Sequence, residues 1–166
     1  LTVYDGEQYS LAAQTTASIS ASTVDETFAD FEVNSQGTVG GNFLDTHDSD
    51  DVYETITEEL YAGNKRSRLE HQWTFNVASG SSHKLTVEAH HNSTTEDFIF
   101  EYSNDGGLTW NFLFVVTSGT DEIYTAAIDA GVGGEILVRV KDTDRSRGEN
   151  TPDTLFVDDM FITTEP

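Results

Sequence analysis

The sequence predicts an all-β domain, a β-sandwich of the jelly-roll type with about eight strands. Three observations predict this fold: short runs rich in Thr, Val and Phe, turn residues at short intervals, and alternation of apolar and polar residues. A chain of 166 residues with 36% hydrophobic content is long enough to bury one core. We expect one domain over residues 28–166, preceded by a Ser-, Thr- and Ala-rich linker or edge segment over residues 1–27.

The first strands are predicted from two short runs. One is FADFEVN, residues 28–34, and the other is DVYETITEEL, residues 51–60. The second run has mixed spacing that also fits a helix, but its Val, Tyr, Thr and Ile residues favour a strand.

The clearest alternation lies in residues 69–77, LEHQWTFNV. Leu69, Trp73 and Phe75 share one face with His71 and Val77, so the run predicts a half-buried strand with Trp73 in the core. A second strand is predicted in residues 83–91. The turn between the two runs predicts that they pair as a hairpin. The apolar face of the second strand contains Leu85, Val87 and Ala89.

Four further strands complete the count. Two apolar runs within residues 97–116 are joined by a glycine-rich turn, and Tyr102 shares a face with two Phe residues, which favours its burial. Residues 135–142 alternate with Ile, Val and Val on one face, and residues 154–162 form the last strand.

The charge of the chain excludes two classes of partner. The balance of 30 acidic to 8 basic residues gives a net charge of −22, so no basic surface is available for nucleic acid or anionic membranes. No run approaches the roughly 18 apolar residues of a membrane span. The sequence has no cysteine. Its many carboxylates repel one another, and we expect salt or calcium in an extracellular setting to offset this repulsion.

The bases are clustered, and the chain ends suggest a larger protein. Seven of the eight bases lie in residues 65–68 and 139–147, which indicates specific ion pairs; ordinary solvated charges are the alternative.

Because the chain begins at Leu1 and ends at Pro166, we expect a module cut from a longer polypeptide, with other domains of that polypeptide as partners.

Residues 103–110, SNDGGLTW, match the pattern S-x-D-x-G-x-T-W, and here the chain resembles the secreted β domains that carry an Asp-box hairpin. In such a turn Asp105 accepts hydrogen bonds from turn amides, the glycines supply positive φ, and Trp110 covers the turn. Sialidases and non-catalytic modules share this motif, so it does not decide the function.

The last strand extends the resemblance. Together with the hairpin, GGEILVRVKDTD and LFVDD make residues 95–163 similar to jelly-roll accessory modules of secreted bacterial proteins, including carbohydrate-binding modules. The resemblance implies a non-catalytic module of a larger secreted or cell-surface protein that binds a polysaccharide or glycan. It also implies a structural calcium held near the last strand. The alternative is a structural or protein-contacting spacer beside a catalytic domain.

Three acid-rich segments supply candidate calcium ligands. Calcium takes six to eight oxygen ligands, and no single segment has the EF-hand spacing, so a site would be assembled across loops. The alternative is an acid-rich solvated loop. The candidate ligands are Asp48, Asp50, Asp51, Glu54, Asp142, Asp144, Asp153 and Asp158.

Arginines and aromatic rings supply the candidate carbohydrate-binding residues. Arg145 and Arg147 lie in the loop DTDRSRGENTPDT, where we expect them to pair with carboxylates; the alternative is that they bind a ligand's carboxylate or sulfate. Sugar rings stack on exposed aromatic faces. Tyr53 and Tyr61 are the favoured platforms, and Trp110 is a further candidate if it does more than cover its turn.

Catalysis is not indicated. His90 and His91 are adjacent on a strand and point to opposite faces. His47 and His71 are zinc candidates only if folding brings them near carboxylates; the alternative is an ordinary polar role. The sequence has no G-x-S-x-G nucleophile elbow, and a sandwich of this size rarely has the cleft that paired carboxylates need. We interpret the protein as non-catalytic.

Overall fold

The computed structural model describes residues 24–61, 63, 65–129 and 133–166. These residues form thirteen β-strands and one 3-10 helix, Phe43–Thr46. The prediction of an all-β sandwich is confirmed. The strands are more numerous than eight because several have only three or four residues, too few to show alternation. They are β1 (Asp25–Phe28), β2 (Phe31–Gln36), β3 (Thr38–Gly40), β4 (Glu54–Thr57), β5 (Glu59–Tyr61), β6 (Arg66–Arg68), β7 (Glu70–Val77), β8 (Ser82–His91), β9 (Phe98–Ser103), β10 (Asn111–Val116), β11 (Glu122–Ile128), β12 (Gly134–Asp142) and β13 (Thr154–Glu165).

Two antiparallel sheets form the sandwich. One has six strands in the order β11-β8-β13-β4-β3, with β1 also paired to β13. The other has five strands in the order β10-β9-β12-β7-β2. A separate two-stranded sheet pairs β5 with β6.

The predicted hairpin between β7 and β8 is wrong. β7 lies between β12 and β2 in the five-stranded sheet, whereas β8 lies between β11 and β13 in the six-stranded sheet. The connection over residues 78–81 therefore crosses from one sheet to the other. Each strand has one apolar face, and placing the strands in facing sheets lets both faces meet the same core.

The core lies between the two sheets and contains the residues that alternation predicted. Trp73 and Phe75 of β7 are fully buried, as are Leu85 and Val87 of β8. Tyr102 is buried as predicted. The run DVYETITEEL is extended, but it is divided into β4 and β5, which belong to different sheets.

The N-terminal segment is described only in part. Residues 1–23 of the predicted linker or edge segment lie outside the described residues. Residues 25–27 of that segment belong to β1, which pairs with β13. In the part of the chain that the structure describes, no helix has the length and apolar character that crossing a membrane requires.

Candidate functional site

The outward side chains of the five-stranded sheet form a continuous surface, which we call the five-strand face. Its strand register aligns side chains from all five strands in single rows. Because neighbouring strands are about 4.8 Å apart, a row across five strands spans several sugar rings. The face includes Phe31, Val33, Glu70, Gln72, Thr74, Glu101, Phe112, Leu137, Arg139 and Lys141.

One row crosses the whole sheet and ends on an exposed aromatic ring. It contains Val33, Gln72, Arg139, Glu101 and Phe112, in that order. Phe112 is 62% exposed. The row therefore places hydrogen-bonding side chains between two apolar ones.

A second row lies two residues along each strand. It contains Phe31, Thr74, Leu137 and Ser103. Phe31 is 58% exposed, whereas Leu137 is almost fully buried. Exposed aromatic rings therefore occur at both sides of the five-strand face.

Trp110 lies at the end of the turn that joins β9 and β10. Its ring is half-buried, and the guanidinium carbon of Arg139 lies 3.9 Å from the ring centroid. A Cβ added to Gly107 would come within 3.5 Å of the Trp110 ring, so the ring also covers the turn. Trp110 thus connects the turn to the five-strand face through a cation–π contact with Arg139.

The turn itself is held by its short polar side chains. Asp105 Oδ1 accepts a 2.9 Å hydrogen bond from the Thr109 amide, and Oδ2 accepts a 2.7 Å bond from the Thr109 hydroxyl. These bonds, with one from Ser103, lower the pKa of Asp105 to about 2. Gly106 and Gly107 have φ of 70° and 85°, which residues with a Cβ rarely adopt. The turn is thus a fixed platform for Trp110.

Ion pairs link the polar side chains of the five-strand face. Arg139 Nε and Lys141 Nζ each lie 2.8 Å from Glu101 Oε2. Arg139 also lies 3.7 Å from Glu70, and Arg145 lies 3.2 Å from the other oxygen of Glu70. Burial favours a higher pKa for Glu101, but the bonds from Lys141 and Arg139 outweigh it and lower the pKa. These contacts pair three of the four bases in the second cluster.

Arg145 makes several further contacts at the edge of this surface. It donates to Asp142, to the Gln36 side chain and to the Leu69 carbonyl, at 3.2, 3.0 and 3.2 Å. Its guanidinium therefore braces β2, β7 and β12. Arg147 is exposed in the same loop.

The two tyrosine candidates lie elsewhere. The Tyr53 hydroxyl donates to Asp121 and Asp51 at 2.9 and 3.1 Å, and these bonds, with burial, raise its pKa. Its ring packs edge-on against His90 and Phe156 of the six-stranded sheet. Tyr61 is 48% exposed in the two-stranded sheet. Tyr53, Tyr61 and Trp110 are thus on three different parts of the molecule.

The predicted calcium ligands do not converge on one point. Among the described residues, three ligand atoms of acidic or His side chains come within 4.8 Å of one another at two places. We call Glu58, Glu96 and Asp153 the carboxylate cluster. The second group, Glu32, Glu54 and His71, is the histidine cluster. Of the predicted ligands, Asp153 belongs to the first and Glu54 to the second.

The carboxylate cluster combines two buried acids with the loop 142–154. Glu58 and Glu96 are only 3% and 6% exposed. Glu58 accepts a 3.0 Å bond from the Asp153 amide, and Glu96 accepts a 3.2 Å bond from the Asp144 amide. Their second oxygens, both Oε1, are buried without a hydrogen bond to any described residue. Burial raises the pKa of Glu58 to about 7 and that of Glu96 to about 8, and the negative charges of nearby acids add to this effect.

The other predicted ligands are placed apart from this cluster or at its margin. Asp158 is buried in β13; burial raises its pKa, and the backbone amides of Asp50 and Asp51 partly offset this effect. Next to it, burial and the charge of Glu88 raise the pKa of Asp159 to about 6, and Asp48 adds to this effect. Asp142 accepts a 2.8 Å bond from the Leu69 amide.

The remaining histidine candidate lies at the edge of the core. His47 Nε2 is 2.9 Å from the Ala29 carbonyl, and its ring packs against Phe28 and Phe43. Of the two zinc candidates, His71 is the one that groups with two carboxylates among the described residues. Burial and Glu54 raise the pKa of one of these carboxylates, Glu32, to about 7.

Sequence reasoning did not name Phe31, Phe112, Glu101 or Arg139 as binding residues. The alternation in residues 135–142 puts Arg139 on the face opposite to Ile136, Val138 and Val140. The missing information was which strands lie beside β12, since this alone puts Arg139 between Glu101 and Gln72.

Comparison with known proteins supports the fold. No protein-family model and no curated protein matches the chain. Solved structures do match. The chain is similar to a family 29 carbohydrate-binding module in complex with mannohexaose, with a TM-score of 0.55 and 9% identity, over 87% of this chain and 94% of that chain.

Two other solved structures give similar values. A family 29 module in complex with cellulohexaose has a TM-score of 0.53 and 11% identity, covering 86% of this chain and 92% of that chain. TmCBM61 in complex with beta-1,4-galactotriose has a TM-score of 0.50 and 15% identity, covering 81% and 88%. These neighbours are carbohydrate-binding modules. At such identities the likeness establishes the shared β-sandwich fold.

Proposed function

We propose that the protein is a non-catalytic carbohydrate-binding module of a larger secreted or cell-surface protein, stabilised by calcium. The observation that carries this proposal is the five-strand face, where exposed aromatic rings flank hydrogen-bonding side chains. The similar solved structures, which include complexes with mannohexaose and beta-1,4-galactotriose, support the same class of ligand.

The chemistry of the face suits a neutral glycan. Pyranose rings present C–H faces that pack on aromatic rings such as Trp110 and Phe112, while Gln72 and Arg139 can bond to hydroxyl groups. Arg139 is already paired with Glu101, so it is held in place and its charge is compensated. A polyanion would meet a chain with a net charge of −22 and no unpaired base on this row.

A binding screen tests this function. Affinity electrophoresis in gels containing mannan, a soluble β-glucan or galactan should retard the protein in at least one gel, and an anionic polysaccharide should retard it less. Retardation by none of them would overturn the proposal. That result would favour the alternative of a structural or protein-contacting spacer.

For calcium, we propose the carboxylate cluster as the site. Its donor set is entirely oxygen, which calcium prefers, and Glu58 and Glu96 each have a buried oxygen without a hydrogen bond among the described residues. Asp153 is the third ligand. A divalent cation would compensate the charges of acids that are otherwise costly to bury. The bound calcium would connect three segments: Glu58 between β4 and β5, the loop before β9, and the loop 142–154.

Thermal unfolding tests the calcium site. The melting temperature should be higher in calcium than in chelator, and Glu96→Gln should remove most of that difference. Glu26→Gln, on the exposed edge strand β1, is the matched control and should retain it. Asp158→Asn tests the ligands predicted near the last strand: loss of the calcium effect there, with Glu96→Gln unaffected, would contradict the proposed position.

A further inference from the structure

The histidine cluster brings one imidazole and two carboxylates together from both sheets. Glu32 is in β2 and His71 in β7 of the five-stranded sheet, and Glu54 is in β4 of the six-stranded sheet. Glu54 and His71 are fully buried, and Glu32 is about three-quarters buried. The cluster is therefore accessible to solvent on the side of Glu32.

The distances in the cluster differ from those of a strong ion pair. His71 Nε2 lies 3.2 Å from Glu54 Oε1 and 3.7 Å from Glu32 Oε2. Neither His71 Nε2 nor Glu54 Oε1 forms a hydrogen bond with a described residue. A charge-assisted bond between a buried imidazolium and a carboxylate is normally about 2.7–2.9 Å. Two ligands placed about 2.0–2.1 Å from a tetrahedral ion are instead about 3.3 Å apart.

Each ligand side chain is also held by a second contact. Trp73 Nε1 donates a 2.7 Å hydrogen bond to Glu54 Oε2, and the Phe43 amide donates a 2.8 Å bond to Glu32 Oε2. His71 Nδ1 lies 3.4 Å from Asn34 Oδ1, which favours the tautomer whose Nε2 has a free lone pair. Such outer contacts orient metal ligands and are typical of metal sites.

We propose that the histidine cluster binds a divalent transition metal, with zinc as the favoured ion. One nitrogen and two carboxylate oxygens suit zinc and its first-row neighbours better than calcium, which takes oxygen ligands. A neutral His71 with two carboxylates carries two negative charges, which one divalent ion compensates. Without a cation, the ionised form of this cluster would place carboxylate charge in a largely buried position, which is costly.

Metal titration tests this site independently of calcium and glycan. The protein is stripped with a chelator, returned to excess calcium chloride, and titrated with cobalt(II) and with zinc against a chromophoric chelator. We expect one equivalent of zinc and visible absorption bands of four- or five-coordinate cobalt. Absence of a one-to-one zinc complex would overturn the proposal.

Three variants locate the bound metal. Glu32→Gln and Asn34→Ala lie on the exposed side of the cluster, so both should fold, which circular dichroism checks. Asn34→Ala should weaken zinc by roughly 10–100-fold and Glu32→Gln by at least as much. His90→Ala, which removes the surface histidine paired with Asp121, is the control and should bind zinc like wild type. Wild-type affinity in Glu32→Gln, or loss of binding in His90→Ala, would contradict the assignment.

Discussion

The two outer faces of the sandwich show the same strand alternation, but one pairs opposite charges and the other places like charges side by side. On the five-strand face, Arg139 and Lys141 contact one carboxylate, Glu101, at 2.8 Å. On the six-strand face, formed by outward residues such as Lys84, Thr86, Glu88, Ile123 and Asp159, the register places Glu88 directly beside Asp159. Their repulsion adds to burial in raising the pKa of Asp159.

This difference supports the proposed placement of the glycan on the five-strand face. In a chain with only 8 bases against 30 acids, three bases are placed on or beside the five-strand face. Their effect is to fix a row of donors and acceptors between exposed aromatic rings without leaving net charge. The polar residues of the six-strand face keep that face solvated, as the outer face of any β-sandwich must be whether or not it binds a ligand.

Removing one base from each face should give the largest contrast. Arg139→Ala should weaken glycan binding at least about 30-fold, because buried Arg contacts are among the strongest in interfaces and it also positions Trp110. Lys84→Ala on the six-strand face should change the affinity by less than about two-fold. Isothermal titration calorimetry with the polysaccharide from the screen measures both. Equal losses would mean that the faces do not differ in binding.

The acids of the two faces should respond to pH with opposite sign. A raised pKa means that folded Asp159 binds more protons than unfolded Asp159 between about pH 4 and 6, so its contribution to stability is lost as pH rises through about 6. Glu101 has a lowered pKa, so its contribution is present above its unfolded pKa and is lost as pH falls.

Asp159→Asn isolates this effect. In chelator, the variant should gain up to about 2 kcal/mol of unfolding free energy over wild type at pH 8, and little at pH 4, where Asp159 is protonated in the folded state. Urea unfolding at the two pH values measures the gain. A gain that is larger at pH 4 would contradict the raised pKa.

The same charge reversal should have opposite effects on the two faces. Glu88→Lys places a base beside Asp159 and should stabilise by up to about 1 kcal/mol, whereas Glu101→Lys removes the partner of Arg139 and Lys141 and should destabilise. Thermal unfolding at low salt measures both shifts. The difference between the variants should shrink in 1 M salt, where the Debye length is about 3 Å. Stabilisation by Glu101→Lys would show that the ion pairs of the five-strand face are not favourable.

The strand faces could be predicted because alternation is a local property. Trp73 and Phe75 are in the core since residues two apart on a strand point the same way. The pairing of β7 could not be predicted in this way, because a strand's neighbours depend on which sheet the chain enters after each turn. The short turn after Val77 favoured a hairpin, yet it crosses between sheets.

The candidate sites show the same limit. Asp158 lies near the backbone amides of Asp50 and Asp51, whereas the loop 142–154 contacts Glu58 and Glu96. A local signal for the buried acids did exist. In DVYETITEEL, period two places Glu54 and Glu58 on the same side as Ile56, and all three are buried. Their partners, from β2, β7 and distant loops, come together only in the folded sandwich.

Glycan binding by a matched pair of variants tests the central claim most directly. Trp110→Ala removes a ring that contacts Arg139 beside the five-strand face, and Ile123→Ala removes a side chain that is 64% exposed on the six-strand face. By calorimetry, Trp110→Ala should weaken polysaccharide binding by about tenfold or more, and Ile123→Ala should leave it unchanged. Full binding by Trp110→Ala, with a loss in Ile123→Ala, would contradict the assignment of the ligand to the five-strand face.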